Sequence, residues 1–149
     1  MVDLNSFADK ESFFEEQFVV SIQTPTRSVD EFAKVLGDNI ELIQGNYSHC
    51  MYIRSNGYCR FKGNDGSHSG AETAVQEVPS AEIVIAIPHE VEALRKLVLI
   101  INKYHVHEEP TKHVHAVSWN MQGPMGGVHY VYIGCVLNKN LATIQYTCT

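Results

Sequence analysis

Histidines and carboxylates are the residues with the most chemistry to offer in this chain. His113 and His115 stand two apart in a run of β-favouring residues, and alternate strand residues point to one side, so the two imidazoles could share a divalent ion. Val117 and Trp119 follow in the same phase. The competing reading is a half-buried sheet surface with ordinary hydrogen bonds, because two ligands do not complete a metal site. His105, His107, Glu108 and Glu109 form a second cluster, an H-x-H-E-E run in which imidazole and carboxylate together could bind a divalent ion. The alternative there is a turn: Pro110 ends a helix, imidazole sits well at the negative end of the dipole, and the carboxylates cap nearby backbone N–H groups. His49 and Cys50 juxtapose a base and a thiol, but adjacent strand residues face opposite sides, so Cys50 reads as inward and inert.

A third candidate is the stretch KGNDGSHSG from Lys62 to Gly70. Its glycines can bring backbone N–H groups close to a ligand, which makes Asp65, Ser67 and His68 candidate ligand-loop residues together with Asn46; it reads equally as a plain surface tip. Asn46 also suits a left-handed turn position beside Gly45. Few basic residues lie near this loop, Arg60 and Lys62 being the obvious ones, and no phosphate-loop motif is present, which argues against a nucleotide.

These groups must be positioned by the elements around them. Phe18–Thr24 reads as a strand stopped by Pro25. Ser28-Val-Asp-Glu31 has the capping-box form, and Val29, Phe32, Ala33 and Leu36 make the buried stripe of a helix that Gly37 ends. Ser48–Arg54 and Tyr58–Phe61 read as a hairpin about Asn56-Gly57. Ala81–Ile87 is a strand, and Pro88 opens a longer helix to Tyr104 with Val91, Leu94, Leu97, Val98 and Ile101 on one face. Lys112–Trp119 is a further strand. Two strand–helix–strand units predict an α+β fold, a ferredoxin-like split β-α-β sandwich with two helices on one face of an antiparallel sheet. The expected organisation is an N-terminal extension over 1–17, the domain over 18–120, and an extension over 121–149 carrying one extra strand, Val128–Leu137. Both faces of that strand are apolar, which suggests burial on the same domain or on a neighbouring subunit.

At 149 residues the chain is the size of one domain that can build its own core without disulfide or metal. Eleven Lys and Arg against 17 Asp and Glu leave a net charge of −6, which repels nucleic acid and acidic membrane surfaces. The N-terminus lacks a signal-peptide pattern, and the longest apolar run falls far short of the roughly 20 residues that span a bilayer. A cytoplasmic location is expected. The four cysteines, Cys50, Cys59, Cys135 and Cys148, show no C-x-x-C pair and read as reduced structural thiols.

Two segments carry a family resemblance. Gly45-Asn46-Tyr47-Ser48-His49-Cys50, followed by Asn56-Gly57 and Phe61, and then Tyr104-His105-Val106-His107-Glu108-Glu109-Pro110, resemble the YqfO-type, CutA-like domain of Nif-three-like (NGG-one interacting factor three) proteins. The likeness runs from Phe18 to Val117, with Tyr58-Cys59 and Val106-His107 departing from the family pattern. It implies a fold shared with CutA and nitrogen-regulatory PII proteins, which assemble into trimers with subunit sheets packed edge to edge. It implies no activity: in Nif-three-like proteins the metal site belongs to the flanking domains.

The expected function is a non-enzymatic, homo-oligomeric regulatory or binding protein whose ligand is a divalent cation or a small metabolite. One alternative is a metal-dependent hydrolase using His113, His115 and Glu108 or Glu109, the metal lowering the pKa of a bound water. Another is a protein–protein interaction module docking through the C-terminal extension and through Phe7, Phe13 and Phe14.

Overall fold

The computed structural model describes residues 3–7, 12–68, 73–122, 135–137 and 146–148. Strand β1 (Ser12–Pro25) leads through a short 3-10 turn, Thr26–Ser28, into helix α1 (Val29–Asn39); β2 (Tyr52–Phe61) and β3 (Gln76–Pro88) follow, then helix α2 (Val91–Tyr104) and β4 (Lys112–Gln122). The four strands make one antiparallel sheet in the order β2-β3-β1-β4. That order, with both crossovers made by helices, is the ferredoxin-like α+β sandwich expected from the strand and helix pattern.

Alternation along the central strands decides where the helices sit. Val20 and Ile22 on β1 and Ile83, Ile85 and Ile87 on β3 all point to one side, each 2% exposed or less. Phe32 and Leu36 of α1 and Ala93, Leu97 and Ile101 of α2 pack onto them to form the core, joined by Ile40 and Leu42. Each such side chain contributes roughly 1.5–3 kcal/mol when taken out of water. The α1 stripe is as the spacing predicts. In α2 the buried line runs through Ala93 rather than Val91, the first residue of the helix, which is 68% exposed.

Several local expectations are corrected. Asn56-Gly57 does not turn the chain: β2 is one strand, and the step from Arg54↔Glu82 to Gly57↔Ser80 inserts one extra residue, a β-bulge. Asn56 supplies the left-handed conformation (φ 78°), and a Cβ on Gly57 would sit 3.3 Å from the Ser80 carbonyl. The long strand β3 holds both halves of β2 in line, which overrides the local turn preference. Ser28 is the N-cap of α1 by position, yet its hydroxyl makes no capping bond. Gly37 does not stop α1, which continues to Asn39; a Cβ there would meet His49 Cδ2 at 2.4 Å, so glycine permits a close approach instead. Left-handed backbone falls on Gly45 and His49, not on Asn46.

β1 and β4 both run beyond their expected ends, and Ser12 pairs with Gln122. Phe13 lies 4% exposed within this longer strand, so it is buried by its own chain rather than presented to a partner. The strand expected over Val128–Leu137 falls largely outside the described residues; within it, Cys135–Leu137 forms β5, which pairs with β6 (Tyr146–Cys148) in a separate two-stranded sheet. No helix among the described residues is long and apolar enough to cross a membrane.

Two outcomes test this packing. Leu97→Ala should destabilise the protein by about 2–5 kcal/mol in urea titration, the cost of a buried cavity. Gly37→Ala should be destabilising alone but stabilising by roughly 0.5–1 kcal/mol in a His49→Ala background, where helix propensity acts without the clash; additive effects of the two changes would contradict the contact.

Candidate functional site

The ends of β1, β2 and α2 meet where the chain leaves the second helix, and His105 is the post that joins them. Its backbone N–H closes α2 on the Ile101 carbonyl at 2.9 Å. The ring lies edge-on to Phe32, centroids 4.9 Å apart. Nδ1 is 3.0 Å from the His107 backbone nitrogen, and Nε2 is 3.0 Å from the Gln23 carbonyl. A backbone N–H only donates, so Nδ1 accepts and Nε2 carries the proton it gives to Gln23. Both ring nitrogens are therefore committed within the chain, which leaves His105 a structural role rather than that of a metal ligand. Burial holds its pKa below the ordinary histidine value, although the hydrogen bond to Gln23 works the other way.

His107 lies beyond it, edge-on to the His105 ring at 5.3 Å and to that of Phe61 on β2 at 6.4 Å. Burial, with a smaller contribution from the Arg27 charge, also pushes its pKa down. Glu108 reaches the glycine-bearing loop: its Oε2 accepts the His68 backbone N–H at 3.1 Å and lies 3.5 Å from the His68 ring Nδ1. The structure thus brings together two groups that the sequence presents as separate, the H-x-H-E-E turn and the loop holding Asp65, Ser67 and His68. Within that loop the Ser67 N–H closes a turn on the Asn64 carbonyl at 3.1 Å, and Gly66 takes φ +93°. Asp65 is exposed on the same turn and Glu109 is exposed next to Glu108. Lys112 Nζ secures the turn's far side through the Pro110 carbonyl at 3.1 Å. Asn46 belongs to a different turn, in which Gln44 and Tyr47 exchange backbone hydrogen bonds of 2.9 and 3.0 Å.

His113 and His115 occupy the sheet face opposite the helices, in register with Ser21 and Val19. Both are exposed on the edge strand β4. Beside His113 on this face the Ser21 hydroxyl donates to Glu82, which also pairs with Arg54 of β2. The Ser21 hydrogen bond, with Arg54 adding to it, holds the Glu82 carboxyl below its usual range against the opposing effect of burial. Among the described residues no group of three or more His, Cys, Asp or Glu side chains is arranged to hold a metal ion. Cys50 and His49 lie ahead of β2 rather than in it. The Cys50 N–H bonds to Leu42, whereas the His49 ring packs on Gly37.

The same face carries a feature the sequence did not announce, a groove of about 350 Å³ whose lining includes Gln17, Val19, Tyr52, Val84, Ala86 and Trp119. Its walls also come from the segments 42–44 and 50–52, and none of the described residues that line it carries a charge. The shared phase of Val117 and Trp119 on β4 was the one sequence signal pointing to this side.

The neutral imidazole of His105 makes stability depend on pH. Its folded pKa lies below the ordinary value of 6.5, so the unfolded chain binds more protons in that interval. Stability should be full above that value and decline as the pH falls through the interval, as seen in urea midpoints between pH 8 and 5. A His105→Gln/His107→Gln variant should show a flatter slope; identical slopes would contradict the arrangement.

No protein-family model and no curated protein matches the chain. Solved structures do. The Bacillus cereus protein related to NIF3 is 26% identical, with a TM-score of 0.58, over 75% of this chain and 28% of that one. The present chain thus spans little more than a quarter of that relative's length. CutA1 from Ehrlichia chaffeensis, described as a divalent ion tolerance protein, is 14% identical with a TM-score of 0.50, over 69% of this chain and 82% of that one. The chain accordingly has the ferredoxin-like fold common to CutA1 and to part of the NIF3-related protein.

Proposed function

We propose that this chain is a non-enzymatic, homo-oligomeric binding protein of the CutA-like kind, with a trimer as its working unit. The observation that supports this reading is the second face of the sheet. Val19, Val84, Ala86 and Trp119 lie on it around the uncharged groove, and neither α-helix packs there. A partly exposed apolar face that no described helix covers gains by burial against another surface, and the trimer implied by the sequence resemblance supplies one. The ligand-responsive part is the linked pair formed by the 63–68 loop and the 105–109 turn, at the sheet's edge. A small metabolite suits it better than a bare cation: His105 has both ring nitrogens engaged, and a cation would need donors from more than one subunit. The hydrolase alternative lacks a donor set within the described residues.

Native mass spectrometry of protein purified without chelator tests the proposal. A trimer is expected, and a monomer at micromolar concentration would refute the assembly. Val84→Lys places a charge on the uncovered face and should shift the trimer to monomer while the far-ultraviolet circular dichroism is retained. A trimer of unchanged stability in that variant would move the interface elsewhere.

A further inference from the structure

Strand register accounts for the shape of the groove on the uncovered sheet face. Val19 and Ala86 oppose one another on the two central strands and supply its floor. Tyr52 of β2, paired with Val84, stands at one end. Trp119 of β4 stands at the other, two residues along from Val117, the partner of Gln17. Small side chains thus lie over the middle of the sheet and aromatic ones over its outer strands, three strand spacings or roughly 14 Å apart. A flat surface laid over this face meets the aromatic rings first and leaves the floor as a hollow. Its volume of about 350 Å³ falls within the range of small-molecule sites, roughly 300–1,000 Å³.

The lining selects the chemistry of an occupant. Gln17 reaches the groove from β1 although only 5% of the residue is exposed. A glutamine amide has donors and acceptor positions enough to bond a ligand in addition to its neighbours. Gln44 brings a second amide at the 42–44 wall, where its backbone is fixed by the paired hydrogen bonds with Tyr47. None of the described lining residues is charged, so an ionised ligand would lose hydration there without an opposite charge in return. The indole and phenol rings offer flat faces for stacking. We propose that this groove binds an uncharged, planar heteroaromatic molecule with a lactam-type N–H and C=O edge, its ring over Ala86 against Trp119 and its edge on the Gln17 amide. The described walls all belong to one chain, so the site is distinct from the loop and turn at the sheet's edge and requires no particular subunit number.

Quinolin-2-one, an uncharged two-ring lactam, is the probe, and the anion quinoline-2-carboxylate is its charged counterpart. Equilibrium dialysis of the full-length protein should give saturable binding of quinolin-2-one at one molecule per subunit. Affinity for the carboxylate should be lower by about tenfold or more, the consequence of desolvating an uncompensated charge. Trp119 is the chain's single tryptophan, so tryptophan emission should change in step with occupancy. Ala86→Leu fills the floor and should weaken binding by about tenfold or more. Gln17→Leu removes the amide at similar volume and should weaken it several-fold; far-ultraviolet circular dichroism checks that both variants are folded. Absence of saturable binding, equal affinity for the two compounds, or full affinity in either folded variant would overturn the inference. Native mass spectrometry of the same samples separates this result from the assembly: a monomer that binds quinolin-2-one refutes the trimer alone, and a trimer that does not bind it refutes the groove site alone.

Discussion

The two-sidedness of one antiparallel sheet is the constraint on which the other features depend. Val20, Ile22, Ile83, Ile85 and Ile87 put branched apolar side chains on a single face, and that face must be covered before the chain is stable. Two helices with matching stripes cover it. Because α1 and α2 are the crossovers of the two strand–helix–strand units, covering the face also fixes the strand order. The candidate histidines and carboxylates then lie on the opposite face and in the loops at the sheet's edge.

At the edge, a single imidazole does the joining. His105 ties the end of α2 to β1 through the Gln23 carbonyl and shapes its own turn through the His107 N–H. That turn places Glu108 on the backbone of the glycine-bearing loop. The loop is thus coupled to the core by a short chain of hydrogen bonds, even though it is solvent-exposed. On the opposite face a polar trio, Ser21, Glu82 and Arg54, lies next to an uncharged groove.

Much of the fold was legible because hydrophobic period reports burial directly. The α1 stripe, the β-branched run of β3 and the order of elements all follow from it. The discrepancies have identifiable causes. Asn56-Gly57 has turn chemistry, but pairing with the long β3 along both halves of β2 converts it to a bulge. Gly37 carries the mark of a helix stop, yet it is the one residue type that admits the His49 ring. Phe13 reads as an exposed anchor only while β1 is thought to begin at Phe18.

The sequence by itself determined the two helices, most of the apolar stripes that they and the central strands bury, and which groups could do chemistry, since these are properties of residue type and local spacing. Tertiary structure alone decided which of those groups meet. His105 and Gln23, and Glu108 and His68, lie 82 and 40 positions apart, and their pairing is a matter of strand register and loop closure. Register is set by the whole sheet at once, through the burial of one face, and no local window of sequence contains it.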